Sequence, residues 1–449
     1  MSHNAPAVDA ALKRFEGLYP EKIGLSLGRI TKGLETLGRP QDRLPPVIHV
    51  AGTNGKGSTC AYLRAMAEAA GLKVHVFISP HLVRFNERIR LAGQLIDDNA
   101  LIDVLDRTHK ALEGQEITHF EATTAAALLA FSETPADLLI FEVGLGGRFD
   151  ATNVIDQPLL SVITPVDYDH KQFLGTDLAK IAGEKAGIIK QNRPVVSAIQ
   201  ARVCGEVIEA EANRMGAPLK VLSLDDLQRV PQNIALPGAH QRQNAALAGL
   251  AMRSLESIDI PDAAISAGAT KASWPARMQR LEPGPVTDLT EAEVWLDGGH
   301  NPHAANALAK LLKSWGGKTV LVSAMMASKD HTGFFHAFQG AVEAVHTCPN
   351  APGHAGAPPQ DLADYAARVL PSATAHDTFQ NAMKAAAAMQ PDRILICGSL
   401  YLAAMFCTGI MKSPPKRLKK HHTRAWAPPS GSPDLARGAV LRAFHRHLS

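Results

Sequence analysis

With 449 residues, 46% of them hydrophobic and 20% charged, the chain has the length of two globular domains and lacks the bias of a disordered or fibrous protein. No apolar run is long enough for a membrane span, and Met1-Ser2-His3-Asn4 opens no basic-then-apolar leader, so a cytoplasmic protein without a membrane partner is expected. The net charge of +3 is unevenly held: residues 413–449 carry eight Lys/Arg against one acid, Asp434, which makes +7 there and −4 over the preceding 412 residues, and no basic stripe on the body argues for nucleic acid.

Residues 1–45 look helical and polar, with Leu27, Ile30, Leu34 and Leu37 at helical spacing. Pro46-Val47-Ile48-His49-Val50-Ala51 predicts a buried strand. Gly52-Thr53-Asn54-Gly55-Lys56-Gly57-Ser58-Thr59 then predicts a tight glycine-rich loop opening a helix over 56–70, with Gly71 just past its end. Such a loop turns backbone N–H groups toward one centre, where the helix N-terminus adds partial positive charge and Lys56 a full one. The natural occupant is a polyphosphate, held by Asn54, Gly55, Lys56, Gly57 and Ser58. The spacing departs from G-x-x-x-x-G-K-[ST]: Val50 stands in place of the first glycine, and Gly57 separates Lys56 from Ser58. A glycine-rich turn that only caps the strand is the alternative.

Further strands are predicted over 73–78, 138–143, 159–164 and 194–199, with helices over 119–131 and 177–190. Alternating strands and helices point to an α/β fold with a doubly wound, mostly parallel sheet. Ligands of such sheets sit beyond the carboxyl ends of the strands, so Ser58, Ser79, Glu142 and the Asp169-His170 pair could share one crevice. Glu282-Pro283-Gly284-Pro285 cannot continue a helix and marks a boundary. It separates a P-loop domain over 1–283 from a smaller, Rossmann-like α/β domain over 284–412, with strands near 294–296, 319–323, 344–346 and 394–397. Ala327-Ser328-Lys329-Asp330 follows the second of these strands, where ligands could gather, and on sequence alone reads as a solvated turn. Residues 413–449, with paired prolines and Lys416-Arg417-Leu418-Lys419-Lys420, read as a largely disordered tail. Cys60, Cys204, Cys348, Cys397 and Cys407 form no C-x-x-C pair and suit reduced, buried thiols.

Several residues admit two readings. Glu142 precedes Gly144-Leu145-Gly146-Gly147, where a carboxylate can hold Mg²⁺ or cap a loop. His170 alone reads as a structural histidine, and Ser79 as a turn residue before Pro80. Lys185 reads as a solvated lysine beside Glu184. Asn244 and Arg277, taken singly, read as surface helix and turn residues. Asp297-Gly298-Gly299-His300-Asn301-Pro302 closes a strand and starts a helix, with Pro302 suited to its first turn.

The phosphate loop, Phe141-Glu142-Val143-Gly144-Leu145-Gly146-Gly147-Arg148-Phe149-Asp150-Ala151-Thr152-Asn153 and the Asp297-to-Pro302 segment together resemble the folylpolyglutamate synthase/dihydrofolate synthase family, relatives of the Mur cell-wall ligases. Ser79-Pro80-His81-Leu82, Asp169-His170, Glu184-Lys185-Ala186-Gly187-Ile188 and Cys397-Gly398-Ser399 extend the resemblance over roughly residues 20–410. It implies a monomeric, ATP- and Mg²⁺-dependent ligase that joins L-glutamate to dihydropteroate and to tetrahydrofolate through an acyl phosphate. It implies metal ligands at Ser79, Glu142 and His170, and a carbamylated Lys185 at a second Mg²⁺. Asn244 and Asp297 would contact the nucleotide, Arg277 a phosphate, and His300 would lie near the reacting phosphate; Lys56, His300 and Lys185 are then the catalytic candidates. Ala276 and Gly299 replace a usual Gly and a usual Ala. Gly24, Leu25, Ser26, Thr118, Phe120 and Arg148 would meet the substrate, with the loop over 80–88 covering the pterin. Two alternatives are a Mur-type ligase acting on a UDP-sugar peptide and a nucleotide-gated binding protein without ligation. The extra Gly57 and the mere 45 or so residues before the first strand speak against one. The Asp297-to-His300 segment and the second domain speak against the other.

Overall fold

The computed structural model describes residues 4–18, 26–169, 174–351 and 355–407. The expectations placed on Gly24, Leu25, His170 and the 413–449 tail lie outside the described residues.

The first sheet has eight strands: β1 (Val47–Ala51), β2 (Val74–Phe77), β3 (Ile89–Leu91), β4 (Gln94–Leu95), β5 (Leu138–Glu142), β6 (Leu160–Ile163), β7 (Val195–Ser197) and β8 (Leu219–Val221). Their order is β4-β3-β2-β5-β1-β6-β7-β8. β1 lies inside the sheet with all five of its residues buried, as suits a strand covered on both faces. It runs parallel to β5 and β6, pairing Val50 with Glu142 and with Val162. Only β2–β3 and β3–β4 pair antiparallel. The helix Lys56–Ala69 covers one face beside Ala239–Arg253 and Asp262–Lys271. A Cβ on Gly268 would lie 2.4 Å from the Met66 nitrogen, so two of these helices meet backbone to backbone. On the other face Ile30 and Leu34 of the N-terminal helix Gly28–Thr36 are buried with Phe77, Leu139 and Phe141. Burying a side chain of this size contributes about 1.5–3 kcal/mol, which secures the N-terminal segment to the first sheet.

The second sheet comprises β9 (Gln279–Arg280), β10 (Glu293–Leu296), β11 (Thr319–Ser323), β12 (Ala344–Thr347), β13 (Ala373–Ala375) and β14 (Arg393–Cys397), in the order β13-β12-β11-β14-β10-β9. Only β9 is antiparallel. It joins this sheet from ahead of the Glu282-to-Pro285 turn.

The long buried strands match the expectation. β3, β4, β8, β9 and β13 were not anticipated; each is two or three residues long, too short to show a period. The helix expected over 177–190 stops at Ala186. Gly187 ends it, and the Arg148 Cβ lies 2.4 Å from where a Cβ on Gly187 would be. No helix among the described residues is long and apolar enough to cross a membrane.

Candidate active site

The carboxyl ends of β1 and β5 bring the Gly52-to-Ser58 loop and the Glu142-to-Gly147 turn together. A small cleft lies between them, lined by Gly52, Thr53, Lys56, Gly144, Leu145, Gly146, Asp169, Leu174 and Lys185. The loop is set by its own packing. Gly52 has φ 148°, and a Cβ there would lie 1.8 Å from Thr164 Oγ1. Gly52→Ala is therefore expected to lower the melting temperature by about 5 °C, as overpacking combined with backbone strain does in domains of this size. An unchanged melting curve would contradict this account of the loop.

Lys56 Nζ donates to the Gly52 carbonyl at 3.1 Å, and Lys185 Nζ donates to the same oxygen at 3.0 Å. Two amines therefore converge on one acceptor. Lys185 is buried, not solvated, which corrects its reading as a surface lysine. Burial, and then the charge of Lys56, lower its pKa to about 7. Glu142 is also buried, and the loss of water raises its carboxyl to about 7, against the opposing pull of Lys56, the Ser79 N–H and Arg277. The Ser79 N–H donates to Glu142 Oε2 at 3.3 Å.

Ser58 Oγ accepts from Gln241 Nε2 at 3.2 Å, and Asn244 Nδ2 donates to Gln241 Oε1 at 3.1 Å. A Cβ on Gly55 would lie 2.6 Å from Asn244 Oδ1, so Asn244 rests on the loop and is not a surface residue. Asn54 Nδ2 and Ser79 Oγ are buried polar atoms with no hydrogen-bond partner among the described residues. Such an atom can be satisfied by a water, an ion or a ligand. A hydroxyl and a carboxylate are the oxygen donors that a hard divalent cation takes, so Ser79 and Glu142 fit Mg²⁺. Among the described residues no three His, Cys, Asp or Glu side chains cluster as metal ligands.

The second domain closes the site. The segment after β10 carries Asp297, whose Oδ2 accepts from Met278 N at 2.8 Å and whose Oδ1 accepts from Gly299 N at 2.7 Å. Burial raises its pKa. Arg277 donates to the Ala276 carbonyl at 2.8 Å, and its Nη1 lies 2.7 Å from where a Cβ on Gly298 would be. His300 Nδ1 bonds the Gly298 carbonyl at 2.8 Å, which requires the proton on Nδ1. Burial, and then Lys329, lower its pKa to about 4, so the ring is neutral at pH 7.

Two side chains, Asn301 and Lys329, make cross-domain contacts that were not anticipated. Asn301 caps the helix Pro302–Trp315 with its oxygen, while its Nδ2 donates to Asn54 Oδ1 at 3.0 Å and to Asp169 Oδ2 at 3.2 Å. Lys329 Nζ pairs with Asp169 Oδ1 at 2.8 Å, so the loop read as a solvated turn is an interdomain contact.

The substrate candidates divide. Phe120 presses on the turn: its Cζ lies 2.4 Å from where a Cβ on Gly144 would be. Thr118 caps the helix His119–Glu133 in a capping box with Glu121. Arg148 donates to Glu211 and to the Gly183 carbonyl at 3.2 Å each. Ser26 Oγ accepts from Gly28 N at 3.0 Å in a local turn. In the 80–88 loop Phe85 is core, and Glu87 accepts from the backbone N–H groups of Leu82, Val83 and Arg84.

The Mur ligase middle domain matches residues 50–214, and the Mur ligase glutamate ligase domain matches residues 276–400. The dihydrofolate synthase/folylpolyglutamate synthase of Bacillus subtilis is 40% identical over 319 residues, covering 64% of this chain and 72% of that protein. Escherichia coli FolC, solved in complex with DHPP and ADP, superposes with a TM-score of 0.79 at 31% identity, covering 91% of this chain and 99% of that one. A bifunctional folylpolyglutamate synthase/dihydrofolate synthase with Mn, AMPPNP and L-glutamate bound gives 0.77 at 30% identity, over 91% and 99%. The chain belongs to the dihydrofolate synthase/folylpolyglutamate synthase family of the Mur ligases, ATP-dependent ligases built on this α/β fold.

Proposed function

We propose that this chain ligates L-glutamate to both dihydropteroate and tetrahydrofolate, with an acyl phosphate between the two half-reactions. The observation that carries the reading is the meeting of Lys56 and Lys185 on the Gly52 carbonyl, in a cavity that the Glu142-to-Gly147 turn walls. A substrate carboxylate oxygen attacks the γ-phosphorus of ATP, and the bond to ADP breaks. The neutral amine of glutamate then attacks the acyl carbon, the bond from that carbon to the phosphate oxygen breaks, phosphate leaves, and the nitrogen gives up a proton to solvent as the amide forms. The protein's part is to position these groups and to neutralise charge as it moves.

In this reading Asn54, Gly55, Gly57 and Ser58 hold the phosphates by backbone and side-chain donors, and Lys56 and Arg277 face the transferring phosphoryl group. Asn244 and Asp297 orient the nucleotide. His300, neutral, stands at the seam without adding charge. Ser79, Glu142 and His170 would hold one Mg²⁺, and a carbamylated Lys185 a second. Such cations would neutralise phosphate oxygens. Phe120, against Gly144, supports a flat substrate beside the turn. Gly24, Leu25, Ser26, Thr118 and Arg148 complete the substrate set, Thr118 and Arg148 through the backbone positions they fix. A monomer working in the cytoplasm on small molecules, with no nucleic acid or membrane partner, belongs to the same proposal.

Phosphate release tests it. With ATP and Mg²⁺ present, release should require glutamate together with dihydropteroate or tetrahydrofolate. Release that ignores either partner, or that occurs with neither pterin substrate, would defeat the proposal.

A further inference from the structure

Residues 272–278 form a strap between the two domains. It leaves the helix Asp262–Lys271, which packs on Lys56–Ala69, and enters β9 of the second sheet. Near its start Trp274 lies on the phosphate loop's helix. A Cβ on Gly57 would be 2.7 Å from Trp274 Cζ2 and 3.0 Å from Cε2, so the indole edge rests on the backbone one residue after Lys56.

Two residues further on, the backbone turns left-handed twice without glycine, at Ala276 (φ 53°) and Met278 (φ 41°). Each such residue is strained and persists only where its surroundings hold it. The second domain supplies the downstream anchors. Ala276 is fully buried, and its carbonyl accepts from Gly298 N at 2.9 Å. Ala276 N donates to Gln279 Oε1 at 2.9 Å, and Met278 N donates to Asp297 Oδ2 at 2.8 Å. The upstream anchor, in the first domain, is the Trp274 ring. Arg277 is held between the two, and its charge acts on both Glu142 and Asp297.

We propose that Trp274 is a positioning residue for phosphoryl transfer: seated on Gly57, its ring sets Arg277 in register with the phosphates above Lys56. The proposal rests on the reading of Arg277 as a phosphate-facing group. It also gives the added glycine of the loop a reason, since any side chain at position 57 would displace the ring.

A double-mutant cycle of Trp274→Leu and Arg277→Ala, read as kcat and KM for ATP, tests it. Trp274→Leu should lower kcat about tenfold or more, as small misplacements of a catalytic group do, with KM for ATP moving less than about threefold. In the Arg277→Ala background the same change should cost less than about threefold, because the group it positions is gone. Equal losses in both backgrounds overturn the coupling, as does a Trp274→Leu kcat within about twofold of wild type. If Arg277→Ala leaves kcat unchanged, the reading of Arg277 fails and the proposal falls with it. Should Trp274→Leu not fold, Trp274→Phe is put through the same cycle and judged by whether its kcat loss survives the Arg277→Ala background.

Discussion

Lys56→Ala is expected to lower glutamate ligation by about a hundredfold or more, the range for removing a preorganised electrostatic group. The side chain is held in place: Nζ donates to Gly52 O at 3.1 Å and to Thr53 O at 3.5 Å, both within its own loop. Its charge is therefore positioned before any phosphate arrives, and no reorganisation is needed at the moment of transfer. The loss has a second part. Lys56 holds the Glu142 carboxyl below where burial alone would put it, so its removal raises the pKa of Glu142 further above about 7. It also relieves the repulsion that depresses Lys185. Both changes leave Glu142 less anionic and Lys185 more cationic at neutral pH. The pH profile of the variant should accordingly shift to higher pH as well as drop. Turnover close to wild type from folded Lys56→Ala would remove the phosphate-loop assignment; a drop without the shift would remove the electrostatic link to Glu142.

The strand, glycine loop and helix over residues 47–69 were legible because their signal is local. A strand, a glycine turn, a lysine, a hydroxyl and a helix follow one another, and each obeys backbone rules that act over a few residues. The seam between the domains was not legible. Asn301 reaches Asn54 across 247 positions and Lys329 reaches Asp169 across 160, and no period or spacing encodes such a pair. Lys329 in a polar loop looks solvated until the partner domain covers it. The contacts of Arg148 were not legible either. Its place in the Gly-Gly-Arg motif points to the site, but Gly187 lets its stem lie flat on the backbone, and its guanidinium turns to Glu211, 63 residues away. Thr118 is similar: an N-cap hydroxyl committed to its own helix is recognisable in Thr118-His119-Phe120-Glu121, a capping box that the family resemblance overshadowed. Trp274 carried no signal by itself, because only the structure shows what ring Gly57 makes room for.

Lys185→Ala is expected to abolish ligation, with part of the activity returning when a small carboxylic acid is added. Carbamylation joins a neutral amine to CO₂, forming a C–N bond and releasing a proton. An ordinary lysine, with a pKa of about 10.4, is almost wholly charged at neutral pH. Lys185, lowered to about 7 by burial and by Lys56, is about half neutral there. Its nitrogen also lies 3.0 Å from the carbonyl that Lys56 already holds, and the charge of Lys56 disfavours a second cation there and favours an anion. The sign of the stability effect follows. The folded pKa lies below the unfolded 10.5, so the unfolded chain binds more protons between about pH 7 and 10.5. Burying the unmodified amine costs stability in full below about pH 7, and the cost fades as pH rises through that window. Converting the amine to a carbamate changes this titration, so bicarbonate should alter the pH dependence of the melting temperature in the wild type and not in Lys185→Ala. Native mass spectrometry in bicarbonate should show the mass of one added CO₂ on the wild type alone. A fully active enzyme that carries no added mass, and whose melting curve ignores bicarbonate at every pH, would leave Lys185 an unmodified amine and end the second metal site with it.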